Sequence, residues 1–542
     1  MKVLLLWPIL PDSFWSYQEM IDLQGLKTNS PPLGLMTVAA LLPQNWKMRL
    51  ADRNARPETE ADWEWCDLVI ISAMLVQKND FCGLIEKGVR LGKKVAVGGP
   101  LPTSVPDVAK QAGAHYLILD EGENTIPQFL AALERGEETG IFRSTEKPDV
   151  TLTPLPRLDL VNLEDYLTVT IQFSRGCPFQ CEFCDIIKLY GRKSRTKTPE
   201  QMLAEFEQLY QTGWRRMVFL VDDNFIGNKR NAKLFLQALI PWMQERDYPF
   251  ILITEASLNL AEDEELIDLM VQAGIRSVFM GIETPDVDSL MVANKAQNTR
   301  NSLIESCHKI TRAGIQIMSG FILGFDGEKP GAGQRIVKFV EETNIPIAQL
   351  GMLTALHNTD MWERLKREGR LLEDWLTTQQ SVDDKILSPQ KALMNFVPTR
   401  PVEEIASEFI EAFWALFEPM NFLKRTYRHY MMMDENRVCA PQKRTVSSQE
   451  FKSFLAVCWR QGVVRSTRLQ FWWQLVSMAL KKPKLFYEYT GVLLAGEHFF
   501  KFRHEVRQEL EQQIAAIKQA KLSQDEQPGP SQRPVTVGTA VE

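Results

Sequence analysis

No stretch of this chain of 542 residues holds about 20 consecutive apolar side chains, so nothing in it reads as a membrane-spanning helix. The opening apolar run Lys2-Val3-Leu4-Leu5-Leu6-Trp7-Pro8 is too short for the core of a cleavable signal and is expected as a strand. Positive charge is not in excess: 62 Lys and Arg stand against 69 Asp and Glu, and a net charge of −7 gives no broad reason to expect a nucleic-acid partner. Histidine is scarce, with six residues, and cysteine little commoner, with eight. Cys66, Cys82, Cys307, Cys439 and Cys458 are scattered singly, which argues against a disulfide framework and fits a reducing cytoplasm. What remains is a balance of 24% charged and 44% apolar residues, normal for a folded soluble protein and long enough for several domains.

The other three cysteines lie together in Arg175-Gly176-Cys177-Pro178-Phe179-Gln180-Cys181-Glu182-Phe183-Cys184-Asp185. C-x-x-x-C-x-x-C packs three soft thiolate ligands into one short loop, close enough for one compact metal centre. A zinc site needs a fourth ligand, and the nearest histidines in sequence, His115 and His308, are remote. An iron–sulfur cube held by three cysteines keeps one iron open to a substrate or cosubstrate. A redox carrier has no use for such a vacancy. The count therefore points to [4Fe–4S] chemistry on Cys177, Cys181 and Cys184.

Downstream, apolar runs at Arg216–Val221, Phe250–Thr254, Ser277–Ile282, Ile315–Leu323 and Ala348–Leu353 alternate with stretches of helical period such as Pro199–Thr212. That alternation predicts parallel strands with helical crossovers, whose functional side chains gather at strand carboxyl ends. Asp222, Asp223 and Glu283 stand at such ends; the competing reading for each is a helix cap or loop carboxylate. Upstream, Lys2–Pro8, Asp67–Ala73, Lys93–Val97 and His115–Leu119 predict a separate doubly wound domain. Its ligand would lie beyond the strand ends, where Pro31-Pro32-Leu33-Gly34-Leu35 and Gly98-Gly99-Pro100 supply tight turns.

The cysteine run, with aromatic Phe183 before its last cysteine, resembles the signature of radical S-adenosylmethionine enzymes. In that family the cosubstrate's methionine part chelates the open iron, and one electron cleaves it to a 5′-deoxyadenosyl radical. The resemblance continues through Val221-Asp222-Asp223-Asn224-Phe225, where a polar strand end meets the cosubstrate's amino group. Met280-Gly281-Ile282-Glu283-Thr284-Pro285 follows, and then Gly320-Phe321-Ile322-Leu323-Gly324-Phe325, which is similar to the adenine strand. It implies that Phe183, Asp222, Asp223, Asn224, Glu283, Gly320 and Gly324 contact S-adenosylmethionine. A doubly wound domain placed ahead of this module resembles the cobalamin-binding domain of cobalamin-dependent radical enzymes. Leu33, Gly34, Leu75, Gly98 and Gly99 are then the residues expected to face cobalamin. The D-x-H-x-x-G motif that supplies cobalt with an axial histidine is absent, so a bound corrinoid would lack a histidine ligand.

The expected organisation is a Rossmann-like cobalamin-binding domain over residues 1–150, a partial (β/α)6 barrel over 165–375, a mostly helical, aromatic-rich region over 376–520 and a disordered tail over 524–542. In the helical region, Pro401–Phe417 reads as a helix, and Phe451–Leu455, Leu469–Leu475 and Phe486–Tyr489 concentrate aromatics near Arg465, Arg468, Lys481, Lys482 and Lys484. Two readings compete: an interfacial helix on an anionic membrane, and the preferred one, a helical domain burying its aromatics against the barrel. The basic stretch 190–197 is open to either an anionic ligand or solvent. By its resemblance the chain is a cytoplasmic methyltransferase, possible peripheral membrane contact included, acting on an unactivated carbon of a hydrophobic substrate such as a hopanoid or a tetrapyrrole. A flavodoxin or ferredoxin reductase would supply electrons. The rivals are a radical enzyme that cyclises, oxidises or rearranges, and a non-enzymatic iron–sulfur carrier.

Overall fold

Val3, Leu4, Leu5 and Leu6 have no exposed surface, the pattern of a strand covered on both faces. In the computed structural model, which describes residues 1–299, 301–372, 389–439 and 446–525, this run is β1 (Lys2–Trp7). It pairs in parallel with β2 (Lys47–Asp52) and β3 (Leu68–Ser72), and the sheet continues through β4 (Lys94–Gly98), β5 (Tyr116–Ile118) and β6 (Gly140–Phe142). Alternating side chains feed two separate cores. Leu4, Leu6, Val69, Ile71, Val95 and Val97 point to one, and Val3, Leu5, Leu68, Ile70 and Ala96 to the other. The order β2-β1-β3-β4-β5-β6 reverses direction between β1 and β3, which places a ligand crevice beyond their carboxyl ends. The predicted strands here are β1, β3, β4 and β5, while β2 and β6 are additions at the sheet edges.

A second parallel sheet runs β14-β13-β12-β11-β10-β7, strand after strand in chain order, as in a partial barrel. Its members are β7 (Thr168–Ile171), β10 (Met217–Leu220), β11 (Ile251–Glu255), β12 (Ile275–Glu283), β13 (Gln316–Leu323) and β14 (Ile347–Met352). The first crossover helix, Pro199–Gln211, starts on a capping box between Thr198 and Gln201 with Pro199 in its first turn, and buries Met202, Phe206 and Leu209 at helical spacing. Between β7 and that helix, β8 (Ser174–Arg175) and β9 (Arg195–Thr196) form a short antiparallel clasp around the cysteine loop.

The C-terminal region is helical: Val402–Leu416, Pro419–Met432, Ser448–Trp459, Arg468–Lys481 and Phe486–Asp525. Val402–Leu416 lies so close to the barrel helix Ala332–Thr343 that a Cβ on Gly333 would stand 2.6 Å from the carbonyl oxygen of Glu408. Arg425 is fully buried beneath, bonded to Glu341 at 2.7 Å and to the carbonyls of Ile345 and Leu416. The last helix also grips the N-terminal domain: Phe499 stacks on Phe14 at 4.5 Å, His498 Nε2 bonds the Ser13 carbonyl at 3.0 Å, and Lys501 pairs with Glu19. Phe471 and Tyr489 are buried as expected, but Phe451, Trp472 and Trp473 are not. The boundary expected near residue 375 falls within 373–388, and the tail from residue 526 onward likewise lies outside the described residues.

Candidate active site

The carboxyl ends of the two sheets face each other, and buried ion pairs hold them together. Glu121 and Glu123, following β5, receive Arg175 at 2.9 Å each, and Arg195 reaches Glu121 at 2.8 Å. Both strands of the clasp around the cysteine loop are thus anchored on the N-terminal domain. A second contact lies beyond β14, where Asn358 donates to the Ser104 carbonyl at 3.0 Å. Beside it, His357 stacks on Trp362, its pKa lowered by burial and by nearby Lys78. The basic stretch 190–197 divides accordingly. Arg195 is committed to Glu121 and Lys197 to Glu205, while Arg192 and Lys193 are exposed.

Gly176 leads into the loop at φ +91°, and a Cβ there would lie 2.7–3.2 Å from the carbonyl oxygens of Lys193, Gly191 and Tyr190. Asn224 Nδ2 stands 3.9 Å from Cys177 Sγ and Gln297 Nε2 stands 3.8 Å from Cys181 Sγ. The backbone N–H groups of Phe179 and Ile186 donate to the sulfurs of Cys177 and Cys184. Amide donors aimed at sulfur suit thiolates bound to a cluster and tune its potential. Burial, followed by the neighbouring Asp185, Cys181 and Cys177, pushes the Cys184 thiol up to about 12, so without a cation it keeps its proton. Among the described residues, no three His, Cys, Asp or Glu side chains close on a single ion. A cube seats each cysteine on a different iron, so this loop fits a cluster better than one metal atom.

The polar end of β10 turns inward to hold that loop. Asp222 accepts from the amides of Phe173 and Ser174 at 2.8 and 3.0 Å and from the Ser174 hydroxyl at 3.0 Å; burial raises its pKa to about 7. Asp223 accepts from the Gly176 amide at 2.6 Å, and burial raises it to about 6. Both acids bond loop backbone directly. Asn224 bridges Cys177 and Ser257, with Nδ2 3.1 Å from the serine hydroxyl. Glu283, at φ +66°, pairs with buried Lys295, whose charge also reaches Cys181 and Cys184 and which sits 5.9 Å from the Phe183 ring. Phe183 meets Phe325 edge to face at 5.9 Å, joining the cysteine loop to the end of β13. On that strand Gly320 pairs with Gly281 and Gln349, and the Gly324 amide donates to Glu328 at 2.9 Å.

Sequence reading passed over Lys295, Gln297, Glu121, Arg175, His357 and Glu255. Glu255 ends β11 beside Asp223 and Asp222, and burial followed by those two charges raises its pKa to about 8. It carries the same strand-end signal as Asp222 and Glu283.

In the N-terminal domain Gly98 and Gly99 close β4. Gly99 has φ +90°, and a Cβ there would stand 2.6 Å from Ser72 Oγ and 3.1 Å from the Ala73 amide, so backbone is drawn tightly over the end of β3. Leu75 opens the turn Leu75–Gln77 after β3, and Gln77 is held by the Pro8 carbonyl at the end of β1. Leu33 and Gly34 differ from expectation: they begin the helix Leu33–Leu41 rather than a tight turn, and Gly34 has open space around it. His115 accepts from the Val95 amide at the opposite, amino end of the sheet, so it does not meet a ligand at the crevice. The glycine backbone of Gly98 and Gly99 would let a corrinoid approach this end of the sheet closely.

A crevice-bearing doubly wound domain set mouth to mouth with a partial barrel, a three-cysteine loop between them, defines a cobalamin-dependent radical S-adenosylmethionine enzyme. Residues 23–130 match the B12 binding domain, 171–340 the radical SAM superfamily and 359–512 a domain of unknown function, DUF4070. An uncharacterized methyltransferase of Synechocystis sp. is 52% identical over 95% of this chain and 94% of its own. The hopanoid C-2 methylase of Rhodopseudomonas palustris is 32% identical over 87% of this chain and 88% of its own. Among solved structures, the radical S-adenosylmethionine methyltransferase TsrM of Kitasatospora setae, with cobalamin and a [4Fe–4S] cluster bound, superposes at a TM-score of 0.58 and 16% identity, covering 95% of this chain and 99% of that one. The chain belongs to the cobalamin-binding radical S-adenosylmethionine family.

Proposed function

We propose that this enzyme transfers a methyl group to an unactivated carbon of a hydrophobic polycyclic lipid of the hopanoid class. The observation that carries the reading is the 32% identity to a hopanoid C-2 methylase, sustained across 87% of the chain and so through all three regions. When bound, the cluster, S-adenosylmethionine and corrinoid supply a carbon radical and a methyl donor. The protein's part is to hold and orient them. Cys177, Cys181 and Cys184 would ligate the cluster, with Asn224, Gln297 and backbone amides tuning its potential. Asp222 and Asp223 fix the loop, Phe183 and the Gly320–Gly324 strand would hold the adenosine side, and Glu283 is fixed by Lys295. Gly98 and Gly99 would meet the corrinoid. Clamping the two mouths through Glu121, Arg175 and Arg195 excludes water and keeps donor and acceptor aligned.

The test uses anaerobically reconstituted enzyme loaded with cobalamin, methyl-labelled S-adenosylmethionine, a strong reductant and a hopanoid. The expected result is labelled methylhopanoid together with 5′-deoxyadenosine, both lost in Cys181→Ala. Label in a tetrapyrrole instead would move the substrate class. 5′-Deoxyadenosine with bound corrinoid and no methylated product from either would sink the transferase reading.

A further inference from the structure

The helix Arg468–Lys481 is apolar on two faces and packed on one. Phe471, Leu475 and Met478 are buried, whereas Leu469, Trp472, Trp473, Val476 and Leu480, spaced as a second helical stripe, are between 42% and 82% exposed. The preceding helix Ser448–Trp459 repeats the pattern, with Phe451, Leu455 and Trp459 exposed at intervals of four. The turn between them is drawn in close: Trp472 Nε1 donates to the Gly462 carbonyl at 2.9 Å, and a Cβ on Gly462 would stand 2.8 Å from the Trp472 ring. Among the described residues, all four exposed Phe and Trp side chains belong to this hairpin. Scattered exposed hydrophobes need no explanation, but two successive helices that each leave an aromatic-bearing apolar stripe exposed mark a surface that something covers.

Charge identifies the partner. Residues 446–485 carry seven basic side chains and one carboxylate, Glu450; Arg460 and Arg465 are paired with Glu19 and Glu497, and the other five are Lys452, Arg468, Lys481, Lys482 and Lys484, on a chain whose net charge is −7. Lys452, Arg468, Lys481 and Lys484 are exposed at and near the helix ends, placed so that their stems can lie along apolar surface and their ammonium or guanidinium groups reach outward. Among the described residues, no helix is long and apolar enough to cross a bilayer. We propose that the hairpin 448–481 is an interfacial docking surface that seats the enzyme on an anionic lipid bilayer, with the tryptophans at headgroup depth and the basic side chains on lipid phosphates. It rests on this surface alone and not on the choice of substrate.

Co-flotation of the full chain with phosphatidylcholine vesicles, with and without phosphatidylglycerol, tests it. Binding is expected only to the anionic vesicles and is expected to weaken with salt. Leu469→Glu with Leu480→Glu, and separately Lys481→Glu with Lys484→Glu, should each weaken partition about tenfold or more while far-ultraviolet circular dichroism and 5′-deoxyadenosine formation stay unchanged. Absence of binding to anionic vesicles, or unchanged binding in either double variant, would overturn the proposal. So would concentration-dependent dimerisation, abolished by Leu469→Glu with Leu480→Glu, in a protein that ignores vesicles, because the hairpin would then be a protein interface.

Discussion

Two glycines in the N-terminal domain look alike in sequence and differ in physical demand. Gly99, at φ +90° and ψ −177°, occupies backbone space open almost only to glycine, with Ser72 and Ala73 against it. Gly99→Ala should cost about 1–3 kcal/mol and release corrinoid. Gly34→Ala, into open space at a helix start, should leave both melting temperature and corrinoid absorbance unchanged. Glu255 makes a prediction in pH. Its native pKa, raised from 4.5 to about 8, means the folded protein keeps a proton that the unfolded chain has released across that window. Stability therefore falls as pH rises between those values. Comparing urea midpoints at pH 5.5 and 8.5, Glu255→Gln should show a smaller loss than the parent protein; an equal loss would place the titration elsewhere.

At the scale of elements, the clasp of β8 and β9 is the joint between domains. Glu121→Ala removes the carboxylate paired with Arg195 and one of the two paired with Arg175, arginines whose side chains are 11–12% exposed, and should lower unfolding free energy by about 3–5 kcal/mol in urea denaturation. That joint was invisible in sequence, because Glu121 and Arg175 lie 54 residues apart and neither belongs to a motif. The legible parts were those with a local signature: the three cysteines, and strands with unbroken apolar runs. β7 escaped because Thr168 and Thr170 interrupt it although both are buried, and β2 because its side chains alternate at a sheet edge. The strand-end rule located Asp222, Asp223 and Glu283 at the barrel mouth, but not their bonds. Whether a carboxylate faces a ligand, a backbone amide or a lysine such as Lys295, 12 residues further on, depends on loop geometry that spacing does not encode.

Across the whole molecule, the helix Phe486–Asp525 ties the C-terminal region to the segment after β1. Phe14 lies in a nest with Phe413, Phe417 and Phe499, so Phe499→Ala should cost about 3–5 kcal/mol and raise hydrogen exchange in residues 12–24 as well as in the helix itself. Protection lost only in the helix would show that the N-terminal segment is held by other contacts.

The bond from His498 to Ser13 spans 485 residues. On the ribosome, the N-terminal segment emerges long before the helix that fastens it exists, and so does the cysteine loop. That latch can therefore close only after the helix has been made, and the centre has the interval of translating the C-terminal region in which to be furnished.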